Sequence, residues 1–349
     1  MSEGADLTKI FRRLIATTGP ISLAHYMAEA NARYYARGHP LGEGGDFITA
    51  PEISQMFGEL IGLWLADMWQ RAGRPEPAYY VELGPGRGTL ARDALRAMKR
   101  SGLEPQVHFI ETSDALRKLQ LEAVPEALFH PDLSNVPFEG PILLVANEFL
   151  DALPVRQLIR TGEGWREVMV AVDGDRFVGV PGARPMDAAL PANRRDEPEG
   201  ALIETSPAAA AAVQEVAARL VEQGGAALFI DYGHAEPRTG STFQAVRRHE
   251  KADPFAAPGE ADLTAHVDFA TLAEVAQAQG CRWLGTATQG DWLRALGIEG
   301  RAAALAAASP QHRETLESAL HRLTDAGEMG ELFKVMGLAA SGGPDAAGF

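Results

Sequence analysis

The chain reads as an α/β protein with a mostly parallel central sheet, and three features of its 349 residues predict this. From residue 78 onward, short apolar runs alternate with helical patterns, the rhythm of strands joined by crossover helices. The runs themselves, Ile142 to Ala146 above all, are apolar without alternation, as strands covered on both faces must be. Between the first run and its helix stands a turn with Gly84, Gly86 and Gly88, suited to close approach by a ligand.

Leu7, Ile10, Phe11, Leu14 and Ile15 recur at helical spacing and predict a short amphipathic helix packed on the body. Ile21 to Tyr35 predicts a second helix. Ser54 to Arg71 predicts a third, with Met56, Phe57, Leu60, Ile61, Leu63, Trp64 and Leu65 on a wide apolar face. His39 to Glu52, HPLGEGGDFITAPE, lies between them. Its three glycines and two prolines forbid regular structure, and a loop of this kind suits a lid. Ala78 to Leu83 is the first core strand and Thr89 to Arg100 its helix, with Gly102 at the C′ position. Val107 to Ile110, Ser113 to Val124 and Ile142 to Ala146 continue as strand, helix and strand.

Val155 to Ile159, Trp165 to Val172 and Arg176 to Val180 predict an antiparallel insertion, the last two joined at Asp173-Gly174. Ser206-Pro207 starts a helix that runs to Gln223 and stops at Gly224, and Ala226 to Tyr232 follows as a strand. Asp268 caps a helix ending near Gly280. Cys281 to Thr288 and Leu332 to Gly337 are the last strands, with a helical pair between them. The expected domains are a helical region with its lid loop over 1–76, a cofactor-binding core over 77–150 and 201–340, and a β insertion facing substrate over 151–200.

Hydrophobic residues at 46% and charged residues at 23% support a sizeable core and exclude extensive disorder. Lys plus Arg is 32 against 47 for Asp plus Glu, a net charge of −15. Such a chain is poorly suited to neutralise phosphates, so nucleic acid is not an expected partner, and cationic partners fit better. The single cysteine, Cys281, excludes an intramolecular disulfide and a Cys-cluster metal site. No H-x-H or H-E-x-x-H spacing occurs either, so no metal is expected. No apolar run approaches the roughly 20 residues of a membrane span, and no stable membrane insertion is expected. The N-terminal segment carries acids early and has neither an apolar core nor a cleavage site. With the cysteine usage, this leads to an expected cytoplasmic location.

The segment VELGPGRGTL, Val81 to Leu90, carries most information. A buried strand feeds the glycine turn, and the helix that follows offers unpaired N–H donors. Glu111, ending the second strand in VHFIET, stands where a nucleotide ribose would present its hydroxyls. The dinucleotide pattern G-x-G-x-x-G would need its third glycine at position 89. Thr89 stands there, and the spacing is G-x-G-x-G. Glu82, two residues before the first glycine, would oppose a pyrophosphate but could hold the amino group of a methionine tail. Both departures favour S-adenosylmethionine over NAD. The expected cofactor residues are Glu82, Gly84, Pro85, Gly86, Gly88, Thr89 and Glu111. Gly86→Val is expected to block the cofactor with little unfolding, provided the turn keeps φ below zero.

Six segments, GDFITAPEISQMFGE, VELGPGRGTL, ANEFLDALPVRQ, FIDYG, ADLTAHVDF and MGELFKVM, together resemble the MidA-like class I methyltransferases. The resemblance runs from about residue 20 to about residue 337. It implies a Rossmann-like, seven-stranded, mostly parallel sheet with the last strand antiparallel, and S-adenosylmethionine as cofactor. It also implies a protein substrate, with arginine in a quinone-oxidoreductase subunit as the methyl acceptor.

A guanidinium acceptor is always protonated in water and is repelled by a sulfonium. Carboxylates that grip it would orient it, offset that repulsion and accept the proton lost. Glu148, with Asn147 and Asp151, stands just past the strand Ile142 to Ala146, where ligands of open parallel sheets bind. Each of the three could also serve a helix N-terminus. In GDFITAPE, Thr49 is expected toward the cofactor, and Asp46 and Glu52 toward the substrate. Asp132 is expected at the adenine amino group or as a solvated turn residue. Asp231 and Tyr232 are expected in the substrate cleft or, equally, as solvated turn residues. Two other functions compete: a cofactor-binding assembly scaffold without turnover, and a small-molecule methyltransferase.

Overall fold

The computed structural model describes residues 6–36, 49–190, 194–247 and 250–349. They form two compact units. The first comprises Met1–Pro40, Asp151–Ala211 and Glu236–His266; the second comprises Leu41–Leu150, Ala212–Ala235 and Val267–Phe349.

The second unit holds the central sheet. Its strands are β1 (Tyr79–Leu83), β2 (Gln106–Ile110), β3 (Leu128–His130), β4 (Ile142–Asn147), β5 (Gly225–His234), β6 (Arg282–Thr288) and β7 (Phe333–Ala339). Their spatial order is β3-β2-β1-β4-β5-β7-β6, and Val267–Asp268 pairs beside the end of β5. The first five strands run parallel, and β7 is antiparallel to both neighbours, as the sequence predicts. The chain steps outward from β1 to β3 and then returns to place β4 on the other side of β1. That reversal makes a crevice beyond the carboxyl ends of β1 and β4, where ligands of such sheets bind. The strand ends are level there: Leu83 lies opposite both Ile110 and Ala146, and Asn147 lies opposite Ile230.

Local signals set the helices. Ser54 caps Gln55–Arg71 by accepting the Met56 N–H at 3.2 Å, and Ser113 caps Asp114–Ala123. Gln55–Arg71 packs on Thr89–Arg100 so closely that a Cβ at Gly62 would collide with the Ala94 carbonyl. Leu143, Val145, Leu228, Ile230, Phe333 and Val335 are buried in the core beside Phe57, Ile61 and Trp64. Each such side chain contributes roughly 1.5–3 kcal/mol by leaving water. Leu63 departs from the predicted apolar face and stays 43% exposed. Four helices, not a pair, separate β6 from β7: Gln289–Ala295, Ile298–Ala308, Arg313–Thr324 and Met329–Leu332. Left-handed Gly297 and the Ser309-Pro310 step break what reads as a longer helical pattern.

In the first unit, Asp6 caps the helix Leu7–Thr18, which buries Leu7, Phe11 and Ile15 and leaves Ile10 exposed. The helix expected from Ile21 begins two residues later. Ile21 and Ser22 instead pair antiparallel with Val170 and Met169, and the Ser22 hydroxyl accepts the His25 N–H to open the helix Leu23–Ala36. Ile21–Ser22 completes an antiparallel sheet with Arg156–Thr161, Gly164–Asp173, Arg176–Pro185 and Leu202–Thr205. A second sheet joins Gln244–Arg247, Glu250–Ala252 and Asp262–Thr264. Leu202–Thr205 and these last three strands escape the sequence reading because each is short and lacks clear alternation. The helical region expected over 1–76 is thus divided: 6–36 packs with the antiparallel strands, and 49–76 belongs with the central sheet.

Candidate functional site

Except for Asp151, the following geometry lies in the second unit. Gly84, Gly86 and Gly88 adopt φ of +61°, +55° and +79°, so each occupies backbone space that L side chains rarely enter. The Gly84 N–H donates to the Ile110 carbonyl at 3.1 Å, and the Gly88 N–H closes the turn on the Pro85 carbonyl at 2.7 Å. A Cβ at Gly84 would stand 2.9 Å from the Phe149 ring. The proviso attached to Gly86→Val, a turn with φ below zero, does not hold.

Glu82 and Tyr80 share one face of β1, two residues apart. The Tyr80 hydroxyl donates to Glu82 at 2.6 Å, and both side chains are buried. Burial pushes the Glu82 carboxyl up to about 7, against the opposing effect of the tyrosine hydrogen bond. Burial, then the Glu82 charge, holds the Tyr80 hydroxyl well above its usual range. A buried carboxyl with one donor among the described residues is set to receive a cationic group.

Beyond β2, both oxygens of Glu111 are engaged. One accepts the Ser113 N–H at 2.7 Å, the other the Gln120 amide at 3.1 Å. Gln120 is fully buried, and the same nitrogen donates to the Gly86 carbonyl at 2.8 Å. The Arg117 guanidinium donates to the Glu111 carbonyl at 2.9 Å. Sequence reasoning missed Gln120, Arg117 and Tyr80. The available signals were a polar residue one turn from buried Leu116, and the i, i+2 spacing of Tyr80 and Glu82.

Beyond β4, Glu148 has φ +50°, a strained conformation for a residue with a Cβ and a recurrent mark of functional sites. Its N–H donates to the Ile230 carbonyl at 2.9 Å. Its Oε1 accepts the Asn147 amide at 3.1 Å and the Ala50 N–H at 3.4 Å. The Asn147 Oδ1 is buried without a hydrogen-bond partner among the described residues. Thr49 precedes the short helix Ala50–Ile53, so the end of the loop meets Glu148. Glu52 points elsewhere than expected: it accepts the Thr89 hydroxyl at 2.5 Å and ties this helix to the one below the glycine turn.

Asp231, expected in the substrate cleft or as a solvated turn residue, is not solvated. It is buried, and its two oxygens accept the Leu150 N–H at 2.9 Å and the Tyr232 N–H at 3.0 Å, which anchors the segment that carries Glu148. Asp132 takes the turn role: it caps Leu133–Asn135, and the Ser134 hydroxyl and N–H hold its carboxyl below the usual range. Asp151 belongs to the first unit, where it is buried and pushed up to about 7 by desolvation. Asp46 lies outside the described residues.

The donor set fits S-adenosylmethionine. A buried carboxylate at the end of β1 suits an ammonium, a fixed carboxylate at the end of β2 suits a ribose diol, and a positive-φ turn between them admits a close backbone. Among the described residues no group of three or more His, Cys, Asp or Glu could hold a metal ion, and no helix is long and apolar enough to cross a membrane.

Comparison with known proteins agrees with this geometry. A COG1565 superfamily member from Burkholderia thailandensis, crystallised with S-adenosyl-homocysteine, is 30% identical with a TM-score of 0.83, over 96% of this chain and 92% of that one. A second crystal structure from the same organism is 32% identical with a TM-score of 0.82, over 96% and 91% of the two chains. Among curated proteins, the Drosophila melanogaster homologue of protein arginine methyltransferase NDUFAF7 is 36% identical, over 97% of this chain and 85% of its own length. The Homo sapiens protein of that name is 37% identical, over 95% and 83%. Both are named as mitochondrial, which overturns the expectation of a cytoplasmic protein. The model of an S-adenosyl-L-methionine-dependent methyltransferase family matches residues 60–287, and the chain belongs to that family, with S-adenosylmethionine as its methyl donor.

Proposed function

We propose that this enzyme methylates an arginine side chain of a protein substrate, with Glu148 as the carboxylate that grips the guanidinium. The observation that carries the reading is the strained Glu148 beyond β4, its side chain tied to Asn147 beside the crevice that the strand order creates. The names of the relatives, protein arginine methyltransferases, support the acceptor class. The resemblance in the sequence extends it to a subunit of a quinone oxidoreductase.

In this reading Glu82 holds the ammonium of the donor's methionine tail and Glu111 its ribose hydroxyls, while Gly84, Pro85, Gly86 and Gly88 line its path. Bound S-adenosylmethionine supplies an electrophilic methyl group on a sulfonium. Glu148 orients the acceptor nitrogen for in-line attack, offsets the charge repulsion and takes the proton lost as the C–N bond forms. Asn147 orients Glu148. Thr89 and Glu52 hold the short helix Ala50–Ile53, preceded by Thr49, against the site.

The test is single-turnover methylation of the protein acceptor by wild type and Glu148→Gln, with S-adenosylhomocysteine titrated into both. Transfer should fall about a hundredfold or more, since one charged contact in a pre-organised site is worth about 2–4 kcal/mol. Cofactor affinity should hold. Full activity in Glu148→Gln would refute the assignment. S-adenosylhomocysteine formed without any protein would indicate a small-molecule acceptor, and none formed with the protein present would indicate a scaffold.

A further inference from the structure

We infer that Gln120 is a positioning residue for the methyl donor: its amide ties the glycine turn to the Glu111 carboxylate, so that turn and ribose acid are presented as one rigid unit. The inference rests on the reading of Glu111 as the ribose acid. The Gln120 Nε2 lies 2.8 Å from the Gly86 carbonyl and 3.1 Å from Glu111 Oε2. Both neighbours are acceptors only, so the orientation of the amide is forced, with its NH2 group toward them. Its Oε1 then faces away, buried and without a hydrogen-bond partner among the described residues. A side chain that merely filled space would carry no such penalty.

The helix Asp114–Ala123 that carries Gln120 buries only Leu116 and Gln120. Its cap residue, Ser113, donates its N–H to the other Glu111 oxygen at 2.7 Å. One helix therefore grips both oxygens and sets the plane of the carboxylate before any ligand arrives. Pre-organisation of this kind raises affinity without a direct contact.

The test is calorimetric titration of the full chain with S-adenosylhomocysteine at pH 8, beside thermal melts of each variant. Gln120→Met should bind about tenfold more weakly, and Gln120→Glu about a hundredfold, because the latter sets a second carboxylate against Glu111 and the Gly86 carbonyl. A space-filling role predicts the opposite order, glutamate being the closer match in shape. In a Glu111→Ala background, Gln120→Glu should weaken binding further by less than about tenfold, because only the repulsion from the Gly86 carbonyl remains. Should Gln120→Glu fail to fold, Gln120→Met completes the same cycle. Wild-type affinity in Gln120→Met overturns the inference. So do losses that multiply independently beside a normal loss in Glu111→Ala. Unchanged affinity in Glu111→Ala removes the ribose reading and the inference together.

Discussion

Glu82 links stability to cofactor binding, and Glu82→Gln separates the two. The carboxyl is buried in the core of the sheet, and the neutral donor beside it, the Tyr80 hydroxyl, does not offset the lost hydration. Its ordinary value of 4.5 rises to about 7. Because the folded state binds the proton more tightly than the unfolded chain, the contribution to stability falls as pH rises from 4.5 to about 7, then levels off. At 1.36 kcal/mol for each tenfold change in acidity, the cost of the ionised form is about 3 kcal/mol. Glu82→Gln keeps the shape and can still accept from Tyr80, so it removes this cost. Urea unfolding of the ligand-free protein should show the variant more stable by about 3 kcal/mol at pH 8 and nearly equal to wild type at pH 4.5. The same variant should bind S-adenosylhomocysteine about tenfold or more weakly, because it loses the partner for the ammonium. A variant less stable than wild type at pH 8, or stability curves parallel across this range, would refute the burial argument. Unchanged affinity would refute the ammonium assignment alone.

Two further variants probe the scaffold. Gly86→Val forces a β-branched residue to φ +55° and should cost about 1–3 kcal/mol of stability as well as cofactor binding, both read from melts with and without S-adenosylhomocysteine. Asp231→Ala leaves the buried Leu150 N–H without its acceptor and should cost about 1–3 kcal/mol; its methyl transfer should fall more than its cofactor affinity, because Leu150 anchors the segment of Glu148 and not the glycine turn.

What the sequence determined by itself is what short-range chemistry encodes. The helices Thr89–Arg100 and Pro207–Gln223 carry the predicted bounds, because caps, prolines and periodicity act within a turn or two. The parallel core was legible in its unbroken apolar strands, and the cofactor in a glycine turn flanked by Glu82 and Glu111. Only the tertiary structure decided which acids meet. Glu148 stands at the same edge of the sheet as the glycine turn because β4 returns to the side of β1, a pairing between segments some sixty residues apart that no local pattern encodes. Strand pairing also sent Asp231 to the Leu150 backbone, and the Thr89 hydroxyl, distant in sequence, took up Glu52. The left-handed backbone at Glu148 and the two bonds of Gln120 are long-range results as well. A side chain's partners are set by what packs against it, and in a parallel sheet that is always a distant part of the chain.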